Sequence, residues 1–235
     1  MKFEITMHKN LKYNHHNISI TYRDDSDLSV IDEFFVDKMY RSADQLIADC
    51  RQPILDIGAH IGMFPLYASI LNPNIKIIAL EPEPKNYKLL KENLKQNHCK
   101  NVLTKQKAII HTNETTADLY LSEDNHNHST IKIINKSTKK LRVPAITLEK
   151  LIVQNKLNKI GLLKMDIEGA EFEIIKNMDQ GTWSKIQNMV IEYHESEQSK
   201  SPDLENIIRS HGFSVEHFPN QFDKRFGLLV CRNKR

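Results

Sequence analysis

The chain has 235 residues, of which 40% are hydrophobic, and 33 Lys+Arg against 30 Asp+Glu give a formal net charge of +3. This length predicts one domain with an N-terminal extension, and the near balance of charge argues against a nucleic-acid partner, which would need a clustered basic surface. The three cysteines show neither metal spacing nor a disulfide framework, and without a secretory signal or ~18 consecutive apolar residues we expect a cytoplasmic protein with no membrane span.

The first 50 residues are predicted to form an extension ahead of the core. Alternating apolar and polar residues around Phe3–Ile5 and Ile18–Tyr22 predict a β-hairpin. Apolar residues then recur at helical spacing over Val30–Met39, and the helical pattern continues over Ala43–Asp49. The extension is therefore expected to carry its own secondary structure.

Strands and helices alternate after the extension. The predicted strands are Ile54–Ile57, Lys76–Leu80, Val102–Ile110, Gly161–Met165, Met189–Glu192, Phe213–Phe218 and Phe226–Cys231. The predicted helices are Met63–Leu71, Lys85–Asn97, a helix from Thr147, Glu171–Met178 and Pro202–Ser210. This βαβαβ order predicts an α/β fold with a parallel sheet and right-handed crossovers.

Residues 111–145 interrupt the alternation of strands and helices. Ala117–Leu121 and Thr130–Ile134 alternate between apolar and polar residues, and the polar stretch Ser122–Ser129 separates them. We interpret these residues as a β-hairpin or flap outside the core. The helix that follows begins at Thr147, whose hydroxyl is a suitable N-cap.

A nucleoside site is predicted where the first two core strands end. Asp56, Gly58, Ala59 and Gly62 belong to the turn after the first strand, and Glu81 ends the second strand. The glycines allow close approach of a ligand to the backbone, and a glutamate can accept both ribose hydroxyls. The turn lacks the middle glycine of the dinucleotide fingerprint, which disfavours a nicotinamide dehydrogenase. An acidic strand end would repel a pyrophosphate but suits a zwitterion, and S-adenosylmethionine meets both demands.

A second polar cluster follows the fourth and fifth core strands. Asp166 could orient a sulfonium, accept a hydroxyl proton or hold a metal. Lys164 shares its side of the strand, with an ion pair as the alternative to a catalytic role. His194, with an ordinary pKa of ~6.5, could be a general base or a loop histidine. Asp166, Glu192 and His194 could together hold Mg, Mn or Fe, but no spacing rule supports this, so a divalent metal is not expected.

Three segments of the sequence resemble the FkbM family of class I methyltransferases. The general part is DIGAHIG, residues 56–62, followed by Glu81. The specific part is KMDIEGAE, residues 164–171, which resembles the family signature K-x-D-x-E-G-x-E. Residues 26–40, SDLSVIDEFFVDKMY, resemble the segment that precedes the core of the family. The resemblance runs from about Thr21 to the C-terminus.

The resemblance implies a class I methyltransferase, Rossmann-like fold: a mostly parallel seven-stranded sheet with an antiparallel last strand and helices on both faces. It implies an S-adenosylmethionine-dependent O-methyltransferase acting on a hydroxyl of a small molecule, either a sugar or glycan precursor or a secondary metabolite. The alternatives are a nucleic-acid or protein methyltransferase of the same fold and a non-catalytic, cofactor-binding interaction protein. The oligomeric state is left open, and a homo-oligomer would be compatible with the sequence.

The resemblance also extends to the N-terminal segment, which suggests a role for it at the site. We expect residues 1–50 to form a lid on a methyltransferase domain of residues 51–235, because the open edge of the sheet must be covered to exclude water. Asp27 or Tyr40 would then line the cofactor pocket, and residues 122–130 would help to shape the acceptor site. The alternative is that the segment only covers a helix face.

Overall fold

The computed structural model describes residues 6–121 and 139–234. Its strands are β1 Met7–Tyr13, β2 His16–Tyr22, β3 Ile54–Ile57, β4 Ile77–Leu80, β5 Val102–Lys105, β6 Ala108–Ile109, β7 Thr116–Tyr120, β8 Lys140–Ile146, β9 Leu162–Met165, β10 Asn188–His194, β11 Phe213–Pro219 and β12 Phe226–Asn233. Its α-helices are α1 Asp25–Phe35, α2 Asp44–Ala48, α3 Met63–Leu71, α4 Pro84–Gln96, α5 Leu148–Gln154, α6 Glu171–Asn177, α7 Gln180–Trp183 and α8 Ser201–Ser210. A 3₁₀ helix spans Met39–Ala43.

The central sheet has seven strands in the order β11-β12-β10-β9-β3-β4-β5. Strands β5, β4, β3, β9 and β10 pair in parallel, whereas β12 is antiparallel to both of its neighbours. This is the predicted sheet, with its antiparallel last strand. The chain runs outward from β3 in one direction and from β9 in the other, so the cleft between these two strands is where an open α/β sheet binds its ligand.

Helices cover both faces of this sheet, as predicted. In β3, Leu55 and Ile57 belong to an apolar cluster with residues of α5, α6 and α8. Ile54 points to the other face and packs with residues of α1, α3 and α4. Side chains alternate along a strand, so a strand covered on both faces is apolar at almost every position. Asp56 is the exception in β3, and it lies on the face of the N-terminal segment.

The N-terminal segment folds as a hairpin followed by helices, with two differences from the prediction. The described hairpin pairs β1 with β2, with Leu11 opposite Ile18, while the predicted strand around Phe3–Ile5 lies outside the described residues. The predicted helix from Val30 to Asp49 is broken, because Lys38 has φ of 54° and cannot continue a right-handed helix. The apolar residues of this segment join the same cluster as α3 and α4.

The predicted strand Val102–Ile110 is two strands in two different sheets, so that prediction was wrong. β5 ends at Lys105, and a turn follows in which the Lys107 amide donates to the Lys105 carbonyl. β6 then leaves the central sheet and joins a three-stranded sheet of order β6-β8-β7. The predicted flap begins correctly with β7, whose partner is β8. The other predicted flap strand, Thr130–Ile134, and the predicted acceptor loop lie outside the described residues.

Two further local features concern helices. The Thr147 hydroxyl accepts a hydrogen bond from the Lys150 amide at 3.2 Å, which confirms the predicted N-cap of α5. Among residues 6–121 and 139–234, no helix is long and apolar enough to cross a membrane.

Candidate active site

Three parallel strands meet at the cleft, where β3 and β9 end and β10 continues to His194. Ile57 pairs with Met165, and Met165 pairs with Ile191, so the residues that follow them, Gly58, Asp166 and Glu192, stand next to one another. Gly58 has φ of +84°, and a Cβ there would lie 1.8 Å from the Asp166 carbonyl oxygen. Only glycine fits such a position, because other residues have no room for their Cβ.

The turn of residues 58–62, called the glycine turn here, is hydrogen-bonded to the end of β4. The Gly58 and Ala59 amides both donate to the Leu80 carbonyl, at 3.0 and 2.8 Å. Gly62, with φ of +96°, precedes α3, and a Cβ there would meet Leu90 Cδ1 at 2.8 Å. The turn therefore presents backbone rather than side chains at the head of the cleft, as expected for close approach by a ligand.

Glu81 lies at this same corner and is 5% exposed. Its carboxylate accepts hydrogen bonds from the His60 amide at 2.8 Å and from the Glu83 amide at 2.9 Å. Burial, together with the charge of Glu83, outweighs these hydrogen bonds and raises the pKa of Glu81 to about 7. Glu83, the other carboxylate near the strand end, caps α4 instead by accepting from the Asn86 amide at 2.6 Å. Each oxygen of Glu81 keeps a lone pair with which to bind a ribose hydroxyl.

A fully buried lysine links two acids of the cleft. Lys164 Nζ lies 3.3 Å from Asp56 Oδ1 and 3.4 Å from Asp166 Oδ2, and it donates to the Gly58 carbonyl at 2.7 Å. Burial lowers the pKa of Lys164, but Asp56 and Asp166 outweigh it, so the net shift is upward and the ammonium stays charged. The ion-pair alternative for Lys164 therefore matches the geometry, and the predicted catalytic role stays a prediction.

Asp56 is sealed from solvent, with 0% exposure. Apart from the ion pair with Lys164, neither of its oxygens accepts a well-formed hydrogen bond. Burial raises its pKa to about 6, although Lys164 opposes the shift. Lys164 is its ion-pair partner. The predicted direct contact of Asp56 with a cofactor stays a prediction.

His194 is held between two glutamates. Its Nδ1 lies 3.2 Å from Glu171 Oε1 and its Nε2 lies 3.4 Å from Glu168 Oε2. Burial lowers its pKa, but Glu168 and Glu171 outweigh burial, so the pKa of His194 is raised well above 6.5. A protonated imidazole cannot accept a proton, so this arrangement favours a structural cation over the predicted general base.

Glu171 also contacts the loop between β9 and α6, residues 166–170, which is called the signature loop below. Its two carboxylate oxygens accept from the Ile167 and Gly169 amides, each at 2.7 Å. These bonds hold a loop in which Glu168 has φ of 56° and Gly169 has φ of 97°. Glu171 thus organises the loop before α6.

We expect His194 to remain protonated at neutral pH, because its partners stabilise the imidazolium. Nitrogen-15 NMR of its ring nitrogens measures this directly. A folded-state pKa above the unfolded value means that His194 contributes stability below about pH 6.5, which is lost as pH rises through the folded value. Glu171→Gln removes one partner and should bring the titration towards the ordinary range. Titration near 6.5 in the unaltered protein would restore His194 as a candidate base.

The predicted metal set is not assembled as expected. The acidic and histidine side chains that converge are Asp166, Glu168 and His194, whose ligand atoms lie within 4.8 Å of one another. Glu192 is instead engaged by Tyr40, whose hydroxyl donates to Glu192 Oε2 at 2.9 Å. Both ring nitrogens of His194 face carboxylates, Nδ1 that of Glu171 and Nε2 that of Glu168. We assign no metal ligands here.

The N-terminal segment reaches the cleft at two points, which are the two residues predicted to line it. Tyr40 is 1% exposed and stacks on Phe34, with ring centroids 4.4 Å apart. Asp27 is fully buried, and its carboxylate accepts two hydrogen bonds at 2.8 Å from the Arg23 guanidinium. Burial raises the pKa of Asp27, but Arg23 outweighs it and the net shift is downward. Asp27 Oδ1 also lies 3.7 Å from His60 Nε2, beside the glycine turn. Whether Asp27 and Tyr40 contact a cofactor stays a prediction.

Two charged residues of the site were not predicted from the sequence. Arg23 precedes α1 and joins Asp27 to Asn86 of α4, whose Oδ1 accepts from Arg23 Nη2 at 2.6 Å. Glu33 lies on α1, where burial, then Glu192 and Asp166, raises its pKa to about 8. The signal for Glu33 was available, since an acid stands directly beside the apolar stripe of α1. Nothing in the sequence distinguished Arg23 from an ordinary loop cation.

Comparison with known proteins identifies the family. Residues 56–215, about two thirds of the chain, match the family model for the methyltransferase FkbM domain. Methyltransferase sdnD of Sordaria araneosa is 28% identical over 203 residues, which cover 72% of this chain and 78% of that protein. The 31-O-demethyl-FK506 methyltransferase FkbM of Streptomyces tacrolimicus is 21% identical over 189 residues, which cover 69% of this chain and 72% of that protein.

Solved structures agree on the fold. Magnesium protoporphyrin IX methyltransferase (ChlM) from Synechocystis PCC 6803, solved with bound SAM, matches with a TM-score of 0.54 at 10% identity, over 88% of this chain and 82% of that one. At this identity the likeness shows the fold alone, and it confirms the predicted class I methyltransferase fold. Because the family model begins at Asp56 and extends past the signature loop and β10, it contains most of the cleft, and the chain belongs to the FkbM family of methyltransferases.

Proposed function

We propose that this chain is an S-adenosylmethionine-dependent O-methyltransferase that acts on a hydroxyl of a small molecule, a sugar or glycan precursor or a secondary metabolite. The observation that carries the proposal is the corner formed by the glycine turn and Glu81. A buried carboxylate with free lone pairs stands there beside a turn where Gly58 leaves no room for a side chain. This corner suits a nucleoside with two adjacent ribose hydroxyls.

The residues present fit S-adenosylmethionine, which when bound supplies a methyl group on a sulfonium. Glu81 would hold the ribose hydroxyls, and the backbone from Gly58 to Gly62 would lie along the ligand. The acids around Lys164 give the cleft a negative field, because Asp56, Asp166 and the partly ionised Glu192 outnumber that one cation. Such a field favours a cationic sulfonium over its neutral product. The chain's main task would be to position the acceptor hydroxyl and exclude water.

The small-molecule acceptor is supported by the relatives and by charge. FkbM of Streptomyces tacrolimicus is a 31-O-demethyl-FK506 methyltransferase, and a similar O-methylation of a small molecule is proposed for this chain. The small net charge of +3 argues against a nucleic-acid acceptor, which would need a clustered basic surface. Calorimetric titration with S-adenosylhomocysteine tests the first half of the proposal. No binding by the folded protein would contradict it.

Glu81→Gln is expected to weaken binding of S-adenosylhomocysteine by about 30- to 150-fold, the equivalent of about 2–3 kcal/mol for two charge-assisted hydrogen bonds. In the unaltered protein, ribose hydroxyls would favour the ionised form of Glu81, whose pKa is raised to about 7. Affinity should therefore fall as pH drops below about 7, and this dependence should vanish in the variant. Calorimetry across pH measures both effects.

Glu83→Gln is the matched control for that experiment. It changes a neighbouring buried glutamate whose carboxylate caps α4. We expect it to cost about 1 kcal/mol of stability, as loss of a cap does, with little change in affinity. Equal weakening in both variants would show that general disturbance of this corner, rather than ribose binding, explains the Glu81 result.

A further inference from the structure

Glu192 has a carboxylate that is engaged by few of the described residues, in contrast to most acids of the cleft. Asp56 is sealed from solvent. Glu81 and Glu171 hold backbone amides, and Glu168 faces an imidazolium. Glu192 accepts one hydrogen bond from the described residues, from a neutral hydroxyl. Most of its capacity to bind a proton or a donor is therefore unused.

Glu192 also stands where an acceptor would meet a methyl donor. Its place in the register is next to Asp166, which in turn meets the backbone of Gly58. It shares a sheet face with Lys164, because Lys164 pairs with Val190, two residues before Glu192. The carboxylate is therefore within the cleft and beside the turn that would bind the cofactor.

Tyr40 fixes the position of this carboxylate. The tyrosine ring stacks on Phe34 and lies 5.9 Å, centroid to centroid, from Phe64. Burial, followed by the charges of Glu192 and Asp166, raises the pKa of Tyr40 well above 10. The hydroxyl therefore stays protonated and can only donate to a charged Glu192. A buried, stacked ring has few other rotamers, so the donor is held in place.

We propose that Glu192 is the general base that takes the proton of the acceptor hydroxyl, and that Tyr40 is the positioning residue that holds it. The proposal rests on the proposed O-methyltransferase function. As the hydroxyl oxygen bonds to the methyl carbon, the carbon–sulfur bond breaks and its electron pair remains on sulfur, which becomes neutral. The hydroxyl proton passes to Glu192, which leaves the step as a neutral carboxylic acid.

The surroundings of Glu192 suit this task at neutral pH. Burial, then the charge of Asp166, raises its pKa to about 7, while His194, Tyr40 and Lys164 oppose the shift. Glu33 of α1 and Glu168, which precedes α6, also interact electrostatically with Glu192, and the pKa of each is itself raised to about 8. A base whose pKa lies near the working pH is the most effective kind.

The first experiment needs no acceptor. Carbon-13 NMR of labelled glutamate side chains, in the complex with S-adenosylhomocysteine, follows the ionisation of Glu192, whose signal is assigned by its loss in Glu192→Gln. Tyr40→Phe removes a hydrogen bond to the charged form, so the pKa of Glu192 should rise by about 1 unit. Tyr13→Phe removes a hydroxyl from the same N-terminal segment, where it bonds to Tyr67 at 3.2 Å, and should leave the titration unchanged. An unmoved titration in Tyr40→Phe overturns the role of Tyr40.

The second experiment measures turnover against pH with a panel of hydroxylated small molecules. Glu192→Gln should lower kcat by about 10²- to 10⁴-fold and leave affinity for S-adenosylhomocysteine within about threefold. Activity should be lost as pH falls through the pKa of the base, and Tyr40→Phe should move that loss to higher pH. Retained turnover in Glu192→Gln, or loss of the acid limb in Asp166→Asn instead, overturns the proposal. Absence of S-adenosylhomocysteine binding by the unaltered protein contradicts the proposed function itself.

Discussion

Gly58→Ala is expected to destabilise the protein by more than about 4 kcal/mol, enough to leave little folded material. The added Cβ would lie 1.8 Å from the Asp166 carbonyl oxygen and 2.9 Å from its carbon. Neither backbone can move aside easily. The Gly58 amide donates to Leu80, its carbonyl accepts from Lys164, and the Asp166 amide donates to Ile57. Urea denaturation followed by circular dichroism gives the change in unfolding free energy.

Gly169→Ala is the control that separates the clash from backbone strain. Gly169 also has a positive φ, +97°, but the nearest atom to its added Cβ would be the His194 carbonyl oxygen at 3.9 Å. Only the cost of a left-handed alanine remains, which is about 1–2 kcal/mol. The additional loss of unfolding free energy in Gly58→Ala, compared with Gly169→Ala, then measures the effect of the close approach of the two strand ends. Similar losses in both variants would show that the cleft can open to accept a methyl group.

Lys164→Met should cost about 3–5 kcal/mol of stability, because it removes the partner of a buried charge. Asp56 and Lys164 are 0% and 2% exposed, so water cannot replace the lost ammonium. Methionine preserves most of the side-chain volume, which limits the contribution of a cavity. Thermal and urea unfolding at neutral pH measure the loss.

The pH dependence of this loss identifies its cause. Burial already places the folded pKa of Asp56 at about 6, above its ordinary value, with Lys164 present, and removal of Lys164 should raise it further. A carboxyl with a raised folded pKa destabilises the fold as pH rises, so the deficit should shrink as pH falls from about 7 to about 5. Lys164→Met/Asp56→Asn should recover a large part of the stability. A deficit independent of pH, with no recovery in the double variant, would point to packing instead.

The fold could be predicted because its core strands are buried on both faces. Ile54–Ile57 and Leu162–Met165 read as short apolar runs bounded by turn residues, and the structure places β3 and β9 there. The strand beyond Val102 could not be delimited in this way. Its apolar residues continue past Lys105, but a turn at that point transfers the chain to a second sheet.

The chemistry of the site was less predictable because it depends on contacts between distant residues. His194 was predicted as either a general base or a loop histidine, but Glu168 and Glu171 enclose it, and a sequence does not give the orientation of their side chains. Tyr40 was expected to line a cofactor pocket, which stays a prediction, but its hydrogen bond to a carboxylate 152 positions away could not be foreseen. Charge states in a buried cluster follow from the assembled set of neighbours, and no single motif contains that set.

The position of β12 has a consequence for how the protein is made. This strand lies inside the sheet, between β10 and β11, and pairs with both. A growing chain therefore carries β11 with no strand to pair with until the residues from Phe226 onward have left the ribosome. Until then the outer edge of β10 is open to pairing with other nascent chains. A truncation between β11 and Phe226 should remove β12 and leave β11 without its partner, so that the sheet loses two strands rather than one. Translational pausing in this region should increase the need for chaperones.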